Sequence, residues 1–78
     1  MMIEIRIPKV MRMFGYRMNH PTISRRTALE KMLKFAGKDS LLFNMSSAMF
    51  LFKKNQQLIE YHKLRMDLKW MLNKHRLL

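Results

Sequence analysis

Arg25 and Arg26 follow directly on Ser24 in the stretch ISRRTALEKMLKFAGKDS, residues 23–40. Behind them Ala28, Leu29, Met32, Leu33 and Ala36 recur at helical spacing, Ser24 can cap the start, and Gly37 follows the last turn. The pair therefore falls in the first turn of a helix, where the dipole is positive and disfavours cations. One reading is that an anion such as a phosphate sits at that helix start, held by the guanidinium forks and free backbone N–H groups. The other is that the arginine stems cover apolar surface or point into water.

The remaining cations sort by helix face. On the first helix Arg26, Glu30 and Lys34 form a ladder four residues apart, in which Glu30 offsets its neighbours. Lys31 lies beside this ladder and Lys38 extends it past the helix end. Nearer the C-terminus Arg65, Lys69 and Arg76 share one side of a helix, while Lys63 and Lys74 share another. The candidate nucleic-acid-binding residues are thus Arg25, Arg26, Lys31, Lys34 and Lys38, with Lys63, Arg65, Lys69, Lys74 and Arg76 as a second patch. No recognition-helix motif accompanies them, so the expected contacts are to phosphate, with little sequence preference. Phe14, Tyr16 and Tyr61 could stack on bases, whereas Phe43, Phe50 and Phe52 read as core.

Other chemistry finds little to work with. The five acids, Glu4, Glu30, Asp39, Glu60 and Asp67, are widely scattered, and no nucleophile stands near a plausible base. A phosphate-binding glycine loop and a metal motif are both missing. His20, His62 and His75 lack close partners at ligand spacing, and there is no cysteine. The expectation is a protein that is not an enzyme and takes no cofactor or metal. Ten methionines point instead to an adaptable core or partner surface.

Composition narrows the partner. Sixteen Lys and Arg against five acids give a formal charge of +11 over 78 residues, a standing attraction to polyanions. Nucleic acid comes first, DNA before RNA; an acidic protein surface, anionic lipid or a second copy of the chain follows. A disordered cationic tail is excluded by the 49% hydrophobic content and only two glycines. The longest uncharged run, Ser40 to Phe52, is thirteen residues, against roughly 20 needed to span a membrane. The N-terminus has no signal-peptide pattern, so the chain is not expected to be secreted. Ile3, Arg6, Lys9 and Arg12 have presequence-like spacing, but Glu4 and Pro8 argue against one amphipathic helix there.

These residues must be positioned by a small number of elements. MIEIRI, residues 2–7, alternates apolar and polar as an extended segment with Ile3, Ile5 and Ile7 on one side, and Pro8 ends it. Gly15 and Pro21 leave room for one helical turn at most before Ser24. The second helix is expected from Asp39 or Ser40, either being a good N-cap, to Lys54. Leu41, Leu42, Met45, Ala48, Met49 and Phe52 give it a wide apolar face, and Phe43 and Phe50 lie on the other side. It reads as a central helix covered nearly all round. NQQ at 55–57 breaks the chain before a third helix, where Tyr61, Leu64, Leu68, Met71 and Leu72 form a stripe. Trp70 and Met66 fall elsewhere, so that helix is either contacted on two sides or restarts with Asp67 as an N-cap. The expected fold is all-α: a compact three-helix domain over 23–78, preceded by a short extended N-terminal arm and turn over 1–22.

Taken in order, FGYRM at 14–18, SRRTALEKMLKFAG at 24–37, Ser40, FKKN at 52–55 and DLKW at 67–70 form a recognisable pattern. It resembles a domain of unknown function in small basic proteins of nucleocytoplasmic large DNA viruses, the mimivirus-like giant viruses. The resemblance implies a viral origin, a place in the virion or infected host cell, and no established activity. It marks Arg25, Arg26, Lys31, Asp67 and Trp70 as pattern positions without assigning their roles. The leading expectation is a non-catalytic, sequence-nonspecific nucleic-acid-binding protein in viral genome packaging or expression. The alternative is a small basic adaptor inside a larger assembly such as a capsid.

Overall fold

Pro8 and Pro21 each stand before a helix and Gly15 and Gly37 each follow one, so four residues set most of the chain's turns. A proline is suited to a helix start because its fixed φ fits and its missing N–H would lack a partner there. In the computed structural model, which describes residues 6–77, these turns separate four helices. They are α1 (Lys9–Met13), α2 (Thr22–Ala36), α3 (Lys38–Lys54) and α4 (Leu58–His75). Among the described residues there is no strand. The class is all-α as expected, with a fourth short helix inside the segment assigned to arm and turn. Ile3 and Ile5 of the expected arm lie outside the described residues, but Ile7 is buried.

α2 begins two residues before Ser24. Pro21 sets its start and its carbonyl accepts the Arg25 N–H at 3.0 Å, leaving Ser24 exposed within the first turn rather than capping it. At the other end Gly37 adopts φ +92°, a conformation that an L side chain rarely takes. Its N–H bonds back to Leu33 and Met32, and its own carbonyl accepts the Leu41 N–H at 3.1 Å. One glycine thus ends α2 and opens α3. Asp39 and Ser40 are displaced from the cap into the first turn, where the carboxylate of Asp39 suits the dipole.

Leu41, Met45, Ala48 and Phe52 of α3 are buried, and Leu42 and Met49 are half-buried beside them. Asn44 is also buried and donates to the Ser40 carbonyl at 2.7 Å. Phe43 and Phe50 correct the expectation most clearly: they are 72% and 65% exposed. α3 packs on α2 and α4 along one side only. Among the described residues no further element covers the opposite side.

The break at 55–57 falls where expected. Asn55 caps α3, Gln56 takes a left-handed φ of 57°, and the Gln57 N–H bonds the Phe52 carbonyl at 2.8 Å. α4 then runs unbroken through Asp67, which settles the open question about a restart. Leu64, Asp67 and Met71 recur at i, i+3 and i+7 on its buried side. Met11, Leu29, Met32, Met45, Leu64 and Met71 meet in the fully buried core, where flexible thioethers fill the irregular space between short helices. No helix among the described residues is long and apolar enough to cross a membrane.

Candidate nucleic-acid interface

Asp67 decides what the arginine pair does. It projects from the middle of α4 into the interior, and an ionised carboxylate there needs donors from every side. Its Oδ2 accepts the Tyr16 hydroxyl at 2.6 Å and Arg25 Nε at 2.8 Å. Its Oδ1 accepts Arg26 Nε at 3.2 Å and Arg25 Nη2 at 3.4 Å. Arg25 also donates through Nη1 to the His20 carbonyl at 2.8 Å and through Nη2 to Thr22 Oγ1 at 3.3 Å. Every nitrogen of its fork has an acceptor, and the residue is only 6% exposed.

The anion at the start of α2 is therefore the protein's own, and it is met by side chains rather than by backbone N–H groups. Arg25 is withdrawn from the candidate phosphate ligands for this reason. Arg26 is half-buried, and its guanidinium carbon lies 5.1 Å from the centroid of the Trp70 ring, with Lys74 Nζ 4.8 Å from the same centroid. Arg25, Arg26, Asp67 and Trp70 are thus one contact network.

Electrostatics follow the packing. Burial, then the hydrogen bond to Asp67, pushes the Tyr16 hydroxyl well above the ordinary tyrosine range. The hydrogen bond to Asp67 raises the Arg25 guanidinium and outweighs the opposing effect of burial. Glu30 does not serve the ladder on its own helix. It bridges to α4 through Lys74 Nζ at 2.9 Å and His75 Nε2 at 3.0 Å. Burial pushes its carboxyl up, but the hydrogen bonds from Lys74 and His75 together hold it below the ordinary range.

The other candidates divide accordingly. Lys63 is half-buried and donates to the Met18 carbonyl at 3.3 Å, while Lys74 is spoken for by Glu30. Lys31, Lys34 and Lys38 are exposed along α2 and the start of α3, and Arg65, Lys69 and Arg76 are exposed on and just beyond α4. Of the aromatic candidates for stacking, Tyr16 is fully buried and Phe14 stacks on Phe35 at 6.5 Å between centroids.

Three arginines outside the candidate set converge. Arg6, Arg12 and Arg17 line a cleft of about 410 Å³ together with Met18, Asn19 and Phe52, and Ile7 also borders it. α1 and the turn at Gly15, whose φ is +90°, fold the chain back so that positions far apart in an extended segment face one space. The sequence signal was the glycine and proline spacing around these arginines, whose direction depends on how α1 docks. Among the described residues no group of His, Asp and Glu is arranged to hold a metal ion.

No family model matches the chain, and no curated protein or solved structure matches it either.

Proposed function

We propose that this chain is a non-catalytic, sequence-nonspecific nucleic-acid-binding protein that acts by phosphate neutralisation. The observation that carries the reading is the fate of two of the five acids, Asp67 and Glu30. Asp67 is buried between two arginines and Glu30 is bridged to Lys74 and His75, so neither offsets the outward cations. Lys31, Lys34, Lys38, Arg65, Lys69 and Arg76 then present long flexible cations on the surfaces of a rigid helical body. Such side chains suit contacts to phosphate and displacement of counterions, and carry no base readout. DNA is the preferred partner, and the resemblance to giant-virus proteins supports a role in genome packaging or expression, in the virion or the infected cell.

Fluorescence anisotropy with duplexes of unrelated sequence tests the reading. Affinities should agree within a few-fold between sequences and fall together as salt is added. Replacing Lys31, Lys34 and Lys38 by Gln should weaken all of them alike.

A second reading, an assembly adaptor, is favoured by one specific feature. Phe43, Ser46, Ser47, Phe50 and Leu51 form an apolar surface on the uncovered side of α3. Phe43→Ser with Phe50→Ser separates the readings: the adaptor loses its association while the nucleic-acid binder keeps its affinity.

A further inference from the structure

The cleft of Arg6, Arg12 and Arg17 has a property that the lysine surfaces lack. Arg12 Nε is buried and has no hydrogen-bond partner, in contrast to the fully engaged fork of Arg25. Among the described residues neither Arg12 nor Arg17 has an ion-pair partner. A buried charged donor left without an acceptor is costly, and native proteins seldom leave one unless something else supplies the acceptor. The space beside it, about 410 Å³, falls within the range of small-molecule clefts, roughly 300–1,000 Å³. That is more room than a bare phosphate fills, and part of the wall is apolar, from Ile7, Met18 and Phe52.

We infer that this cleft binds a nucleotide, its phosphate on Arg12 and Arg17 and its base against the apolar wall. The Arg12 and Arg17 guanidinium groups, which line the cleft, donate to phosphate oxygens, the contact for which an arginine fork is suited. Asn19, also in the lining, carries both an amide donor and an acceptor for a base edge. The nucleotide can be free or part of a single strand. A base inside a duplex is stacked and paired, so it cannot enter. The strand form rests on the nucleic-acid reading above, while the free form stands without it.

Calorimetry on the full chain distinguishes these cases with four probes: inorganic phosphate, deoxyadenosine, deoxyadenosine monophosphate and oligo(dA). The monophosphate should bind with one-to-one stoichiometry, at least tenfold tighter than phosphate or nucleoside alone. Arg12→Met should weaken it at least tenfold while the melting temperature holds or rises, because the variant removes the orphaned donor and keeps the stem. Arg17→Gln, at an exposed position, should weaken binding too, and carries the test if Arg12→Met fails to fold. Tighter binding of oligo(dA) than of the monophosphate, lost in the same variants, assigns the site to a strand; equal or weaker binding assigns it to a free nucleotide. Monophosphate binding no tighter than phosphate, or unchanged in both variants, overturns the inference. Duplex affinity that survives when monophosphate binding is absent sinks the cleft and leaves the lysine surfaces standing. The converse result keeps the cleft and removes the broader reading.

Discussion

Arg25 Nε and Asp67 Oδ2 lie 2.8 Å apart in the protein interior, joining residues 42 positions apart in the chain. Removing two charges from water costs several kcal/mol per ion, and their attraction repays this only when further hydrogen bonds complete both groups. Here they do: Tyr16 and Arg26 complete the carboxylate, while His20 and Thr22 complete the fork. The pair thereby fixes how α2 lies along α4 and holds the segment after α1 in place. Its value lies in specifying one arrangement of helices that apolar packing alone would determine less sharply.

Breaking one side of this pair should be far worse than replacing both. Asp67→Ala leaves the Arg25 guanidinium buried without a counter-ion and should cost about 3–5 kcal/mol, enough to unfold so small a domain, while Arg25→Ala, which leaves Arg26 on the carboxylate, should cost somewhat less. Arg25→Met combined with Asp67→Leu and Tyr16→Phe, which leaves no orphaned hydroxyl, should recover much of that loss. Urea unfolding followed by circular dichroism measures all three, and an Arg25→Ala variant as stable as the parent would refute the network's role.

Tyr16 gives the network a pH signature. Its folded-state pKa is raised above the ordinary value of 10.0, so the unfolded chain gives up this proton first as pH rises. The stabilisation it contributes is present below about pH 10 and is lost progressively above it. Tyr16→Phe leaves Asp67 one donor short, at a cost of about 1–3 kcal/mol, and should flatten the alkaline fall in stability. Glu30 acts on the opposite flank. Its folded pKa is lowered from 4.5, so its contribution is present above that value and fades as pH falls below it. Melting temperatures across both limbs should show each loss, and Glu30→Gln should remove its part of the acid one.

Met45 is fully buried on α3, so Met45→Ala should cost about 2–5 kcal/mol through lost transfer energy and a cavity. Leu42, only half-buried, should cost less on the same change. Equal losses would mean that α3 is rotated from the orientation described.

Gln56 holds φ 57° without being a glycine, in the turn between α3 and α4. Gln56→Gly should relieve that strain and stabilise the domain by up to about 1 kcal/mol, after the greater freedom it gives the unfolded chain. A thermal melt checks the sign.

Helical periodicity was enough to read α2, the buried stripe of α4 and the break at 55–57, because each depends on local spacing and turn chemistry. Periodicity also separated Phe43 and Phe50 from the main face of α3, but could not say whether a partner covers them. Arg25 exposes a different limit. Its misfit with the helix dipole is visible in the sequence, but the anion it meets is the protein's own carboxylate rather than a phosphate. Which anion it meets depends on a contact 42 residues away, and local pattern reads Asp67 only as a candidate helix cap. The arginine cleft was hidden for the same reason: Arg12 and Phe52 become neighbours only once α1 has docked on the longer helices.

The central claim is that exposed cations bind nucleic acid by displacing counterions from phosphate, and the salt dependence of duplex affinity tests it most directly. If about 6 phosphates are contacted, log affinity should fall against log salt with a slope near −5. Replacing Arg65 and Lys69 by Gln should shrink that slope by up to about 2 while leaving stability within about 0.5 kcal/mol. A slope near zero, or no binding at about 50 mM salt, contradicts the account.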